Sequence, residues 1–330
     1  SRRSDLRHSS RALPAAAACA AASSPPQPEG PVRTPGRGLR SAPAGAPPRE
    51  SMLPRLRSPV KAVSLDVTGT LLAHRHPIYV TYADAAKWAR LENPPSADEL
   101  KPAFKKAYFE SLTKSPCFGH AEGLSSRQWW VRTVQLALSN CGRSYTDAEF
   151  GRFFRRVYQH YGSLEGYVQL PDAAPFLTWA GKRGLMLGIT TNTPSRTMDT
   201  VVPMLGLHEH FRWFVCSQEV GEEKPHQRIY AEAHAQAAFW MPGIKPEEIL
   251  HIGDSLESDF CGARAAGFQA IHLDRSDSSV RVTKYQDWLE APSYPGKSED
   301  DIRQWTVTSL EDARKILEAT PGALPGSSSP

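Results

Sequence analysis

Five short apolar runs, each closed by polar or turn-forming residues, limit what this chain can fold into. They are Ala62–Asp66, Leu185–Thr191, Trp213–Ser217, Ile249–Gly253 and Gln269–Leu273. Between the later ones lie helix-length segments, Pro194–Gly206, Gln227–Trp240 and Glu257–Ala266. Short continuous apolar runs suit strands buried on both faces, as in a parallel sheet. Strand, helix and strand in this rhythm predict an α/β fold, a Rossmann-like, doubly wound parallel sheet. Functional groups of such sheets gather at the carboxyl ends of the strands. Four of the five runs end at or beside polar residues: Asp66, Thr191 with Asn192, Ser217 and Asp254.

The interval 76–167 interrupts the rhythm after the first strand. Its apolar residues recur at helical spacing around Ile78–Leu91, Ala97–Leu112, Ser125–Cys141 and Asp147–Tyr161, and it reads as helical only. An all-helical insertion there predicts a separate cap over the strand ends, able to exclude water and select substrates. The sheet-bearing body is then expected at 59–75 and 168–320, with a fraying tail over 321–330.

Composition separates residues 1–58 from the rest. They are rich in Ala, Pro, Ser and Arg and nearly free of large apolar side chains, which predicts disorder. An Arg- and Ser-rich, acid-poor leader also has the composition of a transit peptide for a plastid or mitochondrion. The competing reading is upstream sequence ahead of a start at Met52, which gives a cytoplasmic protein, or a nuclear one by diffusion. The leader also carries the charge. Residues 1–50 hold eight Arg against Asp5, Glu29 and Glu50, a net +5, so the remainder of a chain of net +4 sums to −1. A body without basic excess predicts no nucleic-acid partner. No apolar run approaches the roughly 20 residues of a membrane span. Five scattered cysteines, Cys19, Cys117, Cys141, Cys216 and Cys261, form no C-x-x-C pair and fit a reducing compartment.

Each polar strand end has its own chemistry. Asp66, in KAVSLDVTGTLL, is a carboxylate held by a buried strand beside an exposed turn, suited to in-line attack on phosphorus. Thr191 and Asn192 offer a hydroxyl and an amide to phosphoryl oxygens, although either also suits the cap of a helix starting near Pro194. Lys224, followed by Pro225, could neutralise a phosphate and the attacking carboxylate. Asp254 and Asp259, in IGDSLESD, could join Asp66 in a hard-oxygen site for Mg²⁺. Against that stands a plain reading, in which Ser255 caps a helix with Asp259 in its first turn.

Taken in order, DVTGT, a hydroxyl-Asn strand end, Lys-Pro and GD-x4-D resemble the four motifs of the haloacid dehalogenase superfamily, from Val60 to about Leu273. The insertion resembles that superfamily's C1 cap, and GLSSRQWW, KPHQRIY and HIGDSLESDFCGARAAG point to one subgroup within it. The resemblance implies a Mg²⁺-dependent hydrolase of a small phosphorylated compound working through an aspartyl-phosphate. It implies Asp66 as nucleophile and metal ligand, Thr191, Asn192 and Lys224 as phosphate-binding groups, and Asp254 as a direct metal ligand. Asp259 is implied to support the metal site or to orient the lysine.

One position departs from the pattern. The residue two after the nucleophile is usually an aspartate that protonates the leaving oxygen, and here it is Thr68. General acid–base help of that kind is typically worth about 10²–10⁴-fold, so slow turnover is expected. The Thr68 carbonyl can still serve the metal. An acyl or aryl phosphate, with a good leaving group, would need the missing acid least. The rival class is a catalytically degenerate protein of the same fold that only binds a phosphate ligand. A metal-free carbon–halogen dehalogenase fits less well, because Asp254 and Asp259 are both present. In the insertion, Arg127 is a candidate partner for a second anionic group, with surface salt-bridging as its plain alternative. Trp130, Val134 and Ala137 share a helical spacing that suits packing for at least one Trp of the pair at 129–130. His74, His76 and His120 read as solvated or capping residues.

Overall fold

Short, mostly apolar runs pair into one sheet in the computed structural model, which describes residues 53–276, 298–322 and 324. The strands are β1 (Ala62–Leu65), β2 (Leu72–His74), β3 (Tyr167–Gln169), β4 (Met186–Thr191), β5 (Trp213–Cys216), β6 (Ile249–Gly253), β7 (Gln269–Leu273) and β8 (Thr306–Val307). Six of them form a sheet in the order β5-β4-β1-β6-β7-β8, every pairing parallel. β1 lies inside it with all four residues buried, as a Val- and Leu-bearing central strand requires. The chain winds outward through β4 and β5, then returns to the other side of β1 through β6. That reversal brings the carboxyl ends of β4, β1 and β6 together at the switch point, where the connections part.

The helices of the sheet body include Ala173–Lys182, Gln227–Trp240 and Leu310–Ala319. The segments expected as plain helices after β4 and β6 instead contain wide π-type turns, Thr197–Val201 and Leu256–Cys261, before short α-helices. Such turns displace one residue from the regular ladder and recur at functional sites.

The insertion folds as four principal helices, Ile78–Trp88, Ala97–Lys114, Ser126–Asn140 and Asp147–His160. Three begin with reciprocal capping boxes, Ser96 with Glu99, Ser125 with Gln128 and Thr146 with Glu149, which satisfy orphan N–H groups at each start. Their apolar faces close a core of their own around Tyr82, Phe104, Val134, Phe153 and Val157, distinct from the core of the sheet. The interval is not wholly helical. β3 enters it at Tyr167 and pairs antiparallel with β2, a two-stranded ribbon that carries the chain into and out of the insertion.

The described residues belong to one compact unit. Most of the expected leader lies outside the described residues, but its last part does not behave as disordered. Leu56 is buried, and its N–H donates to Thr320 Oγ1 at 3.2 Å. Thr320 in turn donates to the Ile316 carbonyl at 2.9 Å. Cys117, Cys141, Cys216 and Cys261 are free thiols. Among the described residues no helix is long and apolar enough to cross a membrane.

Candidate active site

Asp66 follows β1 directly, and its backbone N–H donates to the Ile252 carbonyl of β6 at 3.0 Å, which extends the ladder to the strand's last useful position. The chain then turns sharply. Gly69 adopts φ +90°, and a Cβ there would lie 2.3 Å from Asp254 Oδ2. Glycine thus supplies both the left-handed turn and the space for a second carboxylate. Arg275, itself buried, holds the turn from behind. It donates to the Gly69 and Thr70 carbonyls at 3.1 and 3.0 Å and to Asp172 Oδ1 at 2.9 Å.

Lys224 reaches the strand ends from the loop after β5 and is 3% exposed. Its Nζ donates to Asp66 Oδ1 at 2.8 Å, Asp259 Oδ1 at 2.5 Å and the Thr190 carbonyl at 2.8 Å. All three ammonium donors are therefore used. Burial alone would favour the neutral amine, but the Asp259 and Asp66 carboxylates outweigh it and hold the Lys224 pKa above the usual value. The Asp66 pKa is also raised, which for a carboxyl favours the neutral form. Burial raises its pKa, Lys224 counters, and Asp259 adds to the rise.

Asp259 has both oxygens engaged inside the protein. Oδ1 meets Lys224 and, at 3.0 Å, His251 Nε2, while Oδ2 accepts from the Ser255 N–H at 2.8 Å. Burial opposes its charge, but Lys224 and His251 overcome that and depress its pKa. Of the two roles implied for Asp259, this geometry suits the one on the lysine. His251 sits in β6 beside Ser64 of β1, and Ser64 Oγ lies 2.9 Å from both His251 Nδ1 and Thr190 Oγ1. A buried polar chain thus runs across three strands beneath the site.

The remaining expected residues divide. Thr191 is buried, and its hydroxyl has no hydrogen-bond partner among the described residues. Asn192 braces Lys224 through its backbone: its Nδ2 donates to the Lys224 carbonyl at 2.8 Å and its Oδ1 accepts from the Lys224 N–H at 2.7 Å. One amide hydrogen of Asn192 is left for another acceptor. Oxygens of Asp66, Asp254 and Asp259 lie within 4.8 Å of one another, close enough for one cation to touch. Thr68 is half-buried and lines a cavity of about 140 Å³ between the strand ends and the helical insertion.

Arg127 does not join that group. It is exposed, with its guanidinium 5.4 Å from the centre of the Phe154 ring. The arginine lining the cavity is Arg196, which donates to the Tyr158 carbonyl at 2.7 Å and stacks 3.5 Å over the Tyr158 ring. Sequence reasoning passed over it because T-N-T-P-S-R reads as a capped helix start. Trp129 is buried in packing, whereas Trp130 is half-buried and lines the cavity. His74, expected on the surface, is buried against Tyr161 and Tyr167. His120 is exposed, but its Nδ1 lies 2.7 Å from the Gln218 carbonyl and ties the insertion to the sheet body.

A parallel sheet whose switch point gathers an aspartate, a lysine and two further carboxylates defines the haloacid dehalogenase-like hydrolases. The chain belongs to that family, whose model, described as haloacid dehalogenase-like hydrolase, matches residues 60–267. It is similar to haloacid dehalogenase-like hydrolase domain-containing protein 3 of Bos taurus, 33% identical over 65% of this chain and 82% of the relative. It is also similar to glyceraldehyde 3-phosphate phosphatase of Methanopyrus kandleri, 34% identical over 45% of this chain and 54% of that protein. Among solved structures, the magnesium-bound HAD-hydrolase YfnB of Bacillus subtilis shares the fold, with TM-score 0.55, 18% identity and coverage of 79% of this chain and 100% of that one. The chain is thus a haloacid dehalogenase-like hydrolase related to phosphatases.

Proposed function

We propose that the protein hydrolyses a small phosphate ester through an aspartyl-phosphate on Asp66, with Mg²⁺ as cofactor. The observation that carries this reading is the three-way contact of the Lys224 ammonium, which supports the buried Asp66 carboxylate. An Asp66 oxygen attacks phosphorus, and the bond to the leaving oxygen breaks. Lys224 offsets the negative charge of the attacking carboxylate and the phosphoryl group, and Asp259 and Asn192 hold Lys224 in place for that task. Water then cleaves the acyl phosphate and restores Asp66. The donor set suits a hard cation: Asp66, Asp254 and the Thr68 carbonyl would hold Mg²⁺, which supplies neutralisation of the phosphoryl oxygens when bound. Magnesium in a fold relative and the phosphatase named among the relatives support the same reading.

The test is phosphate release from an aryl phosphate by wild type and Asp66→Asn, with Mg²⁺ or with chelator. Release should require the metal and vanish in the variant. Equal turnover by both proteins would refute the aspartyl-phosphate.

Thr68 favours a second reading, a phosphate-ligand binding protein without turnover, because no acid stands at its place on the cavity wall. Trapping of a phosphoenzyme from acetyl phosphate separates the two, since a binding protein would take no label.

A further inference from the structure

The cavity beside Thr68 and Asn192 carries information that the phosphate-binding groups do not. Its wall is largely aromatic, with Phe104, Tyr108, Phe118, Trp130 and Phe154 contributed by the helical insertion. Its volume of about 140 Å³ is close to the roughly 150 Å³ of engineered apolar cavities that hold a benzene ring. The wall includes no Asp or Glu among the described residues. Its tyrosines Tyr108, Tyr161 and Tyr167 are pushed by burial further from ionisation. His74 is kept neutral, with its pKa pulled down to about 4 by burial and secondarily by His160.

Two details indicate that the wall is shaped for an occupant. Cys117 and Phe118 are consecutive non-glycine residues at φ 50° and 56°, the left-handed region that side chains rarely adopt. That conformation brings the Phe118 ring onto the cavity wall and against Trp129 at 5.0 Å. The Thr193 hydroxyl, also on the wall, is buried with no hydrogen-bond partner among the described residues. A buried hydroxyl without a partner marks a place for a polar atom of a ligand.

Resting on the phosphatase reading above, we infer that the cavity takes the single aromatic ring of an aryl phosphate, with the phosphate at the strand ends. A sugar or polyol phosphate would bury several hydroxyls where Phe104, Phe118 and Phe154 offer no group to bond them. The chemistry agrees with the shape. As an Asp66 oxygen bonds to phosphorus, the electron pair of the breaking P–O bond passes to the phenol oxygen. The phenolate leaves as the anion and takes its proton from solvent water afterwards. Phenols ionise near pH ~10, whereas an alkoxide leaves near the ~15.7 of water itself. A site without an acid can thus expel the first and not the second. Arg196, the guanidinium on this wall, has N–H groups beyond the one used on Tyr158 for the departing oxygen.

Binding isolates the cavity from the intrinsic reactivity of aryl esters. Phenylphosphonate and methylphosphonate, titrated onto the full chain with Mg²⁺ by calorimetry, should differ at least tenfold in Kd in favour of the ring. Trp130→Ala should shrink that ratio at least threefold. Val201→Phe, which fills the cavity from the β4 side instead of emptying it, should do the same and stands in if Trp130→Ala does not fold. Equal Kd values, or a ratio unmoved by the variants that fold, would overturn the inference. Labelling by acetyl phosphate, run in parallel, tests the chemistry separately. Label without ring preference leaves a phosphatase and removes the aryl pocket. Ring preference without label keeps the pocket and removes the phosphatase.

Discussion

Thr68 stands two residues beyond Asp66 on the cavity wall, where an acid would meet the leaving oxygen of a phosphate ester. Replacing it with Asp should therefore raise kcat/KM on an alkyl phosphate by about 100-fold, within the range typical of general acid catalysis. The same variant should change labelling by acetyl phosphate little, because that leaving group needs no proton. Steady-state kinetics on the two substrates check both halves. Lys224 makes a different argument. It is the shared counter-ion of Asp66 and Asp259, both buried. Lys224→Met would leave that charge uncompensated, at a cost of about 3–5 kcal/mol in urea unfolding at pH 7. The sign of the pH effect follows from Asp66, whose pKa is already raised by burial and would lose the opposing Lys224. A folded-state pKa above the unfolded one means that stability falls as pH rises through that interval. The variant's deficit should accordingly shrink between pH 7 and pH 5. Asp66, Thr191, Asn192, Lys224, Asp254 and Asp259 were legible because each closes or follows an apolar strand. His251, Arg196 and Arg275 were not, because a polar residue inside an apolar run, or an arginine after a capped turn, has no sequence pattern apart from solvated or packed ones.

At the scale of elements, the Gln218 side chain acts with His120 and Arg196 in joining the insertion to the sheet body. Gln218, just after β5 and 8% exposed, accepts from Ser126 Oγ at 2.7 Å and from the Ser195 N–H at 3.0 Å. Its Nε2 donates to the carbonyls of Leu124 and Phe118 at 3.0 and 3.4 Å. Gln218→Leu keeps the shape but leaves several of these groups without a partner, each costing about 1–3 kcal/mol where it stays buried. The loss should be local. Amides of residues 118–126 should exchange at least tenfold faster by hydrogen exchange, with β1 and β6 unchanged. The strands themselves were readable to within a residue, since period and burial agree on β4, β5, β6 and β7. The ribbon β2–β3 and the two-residue β8 were not, because strands of two or three residues carry no period. The regular helices expected after β4 and β6 gave way to π-type turns. These turns follow the strand ends that carry Thr191, Asn192 and Asp254, where local propensity yields to the placement of side chains.

Over the whole molecule, two hydrophobic cores meet near the ribbon, and His74 of β2 is buried there among Tyr161, Tyr167 and His160. Burial, aided by the nearby His160, lowers its pKa from 6.5 to about 4. Below pH 6.5 the unfolded chain takes up a proton at this position that the folded chain refuses. The unfolded state then binds more protons, so stability rises with pH from about 4 to 6.5 and is fully present above that. Between pH 7 and pH 5 the position accounts for about 2 kcal/mol of lost stability, at 1.36 kcal/mol per pKa unit. His74→Phe removes the titration and keeps a ring among rings. Urea midpoints at the two pH values should therefore separate less in the variant than in wild type, by an amount equivalent to about 2 kcal/mol. If wild type and variant lose stability in parallel on acidification, the imidazole is not held neutral in the folded protein. The cavity would then contain a second cation beside Arg196, and its fit to an uncharged ring would weaken accordingly.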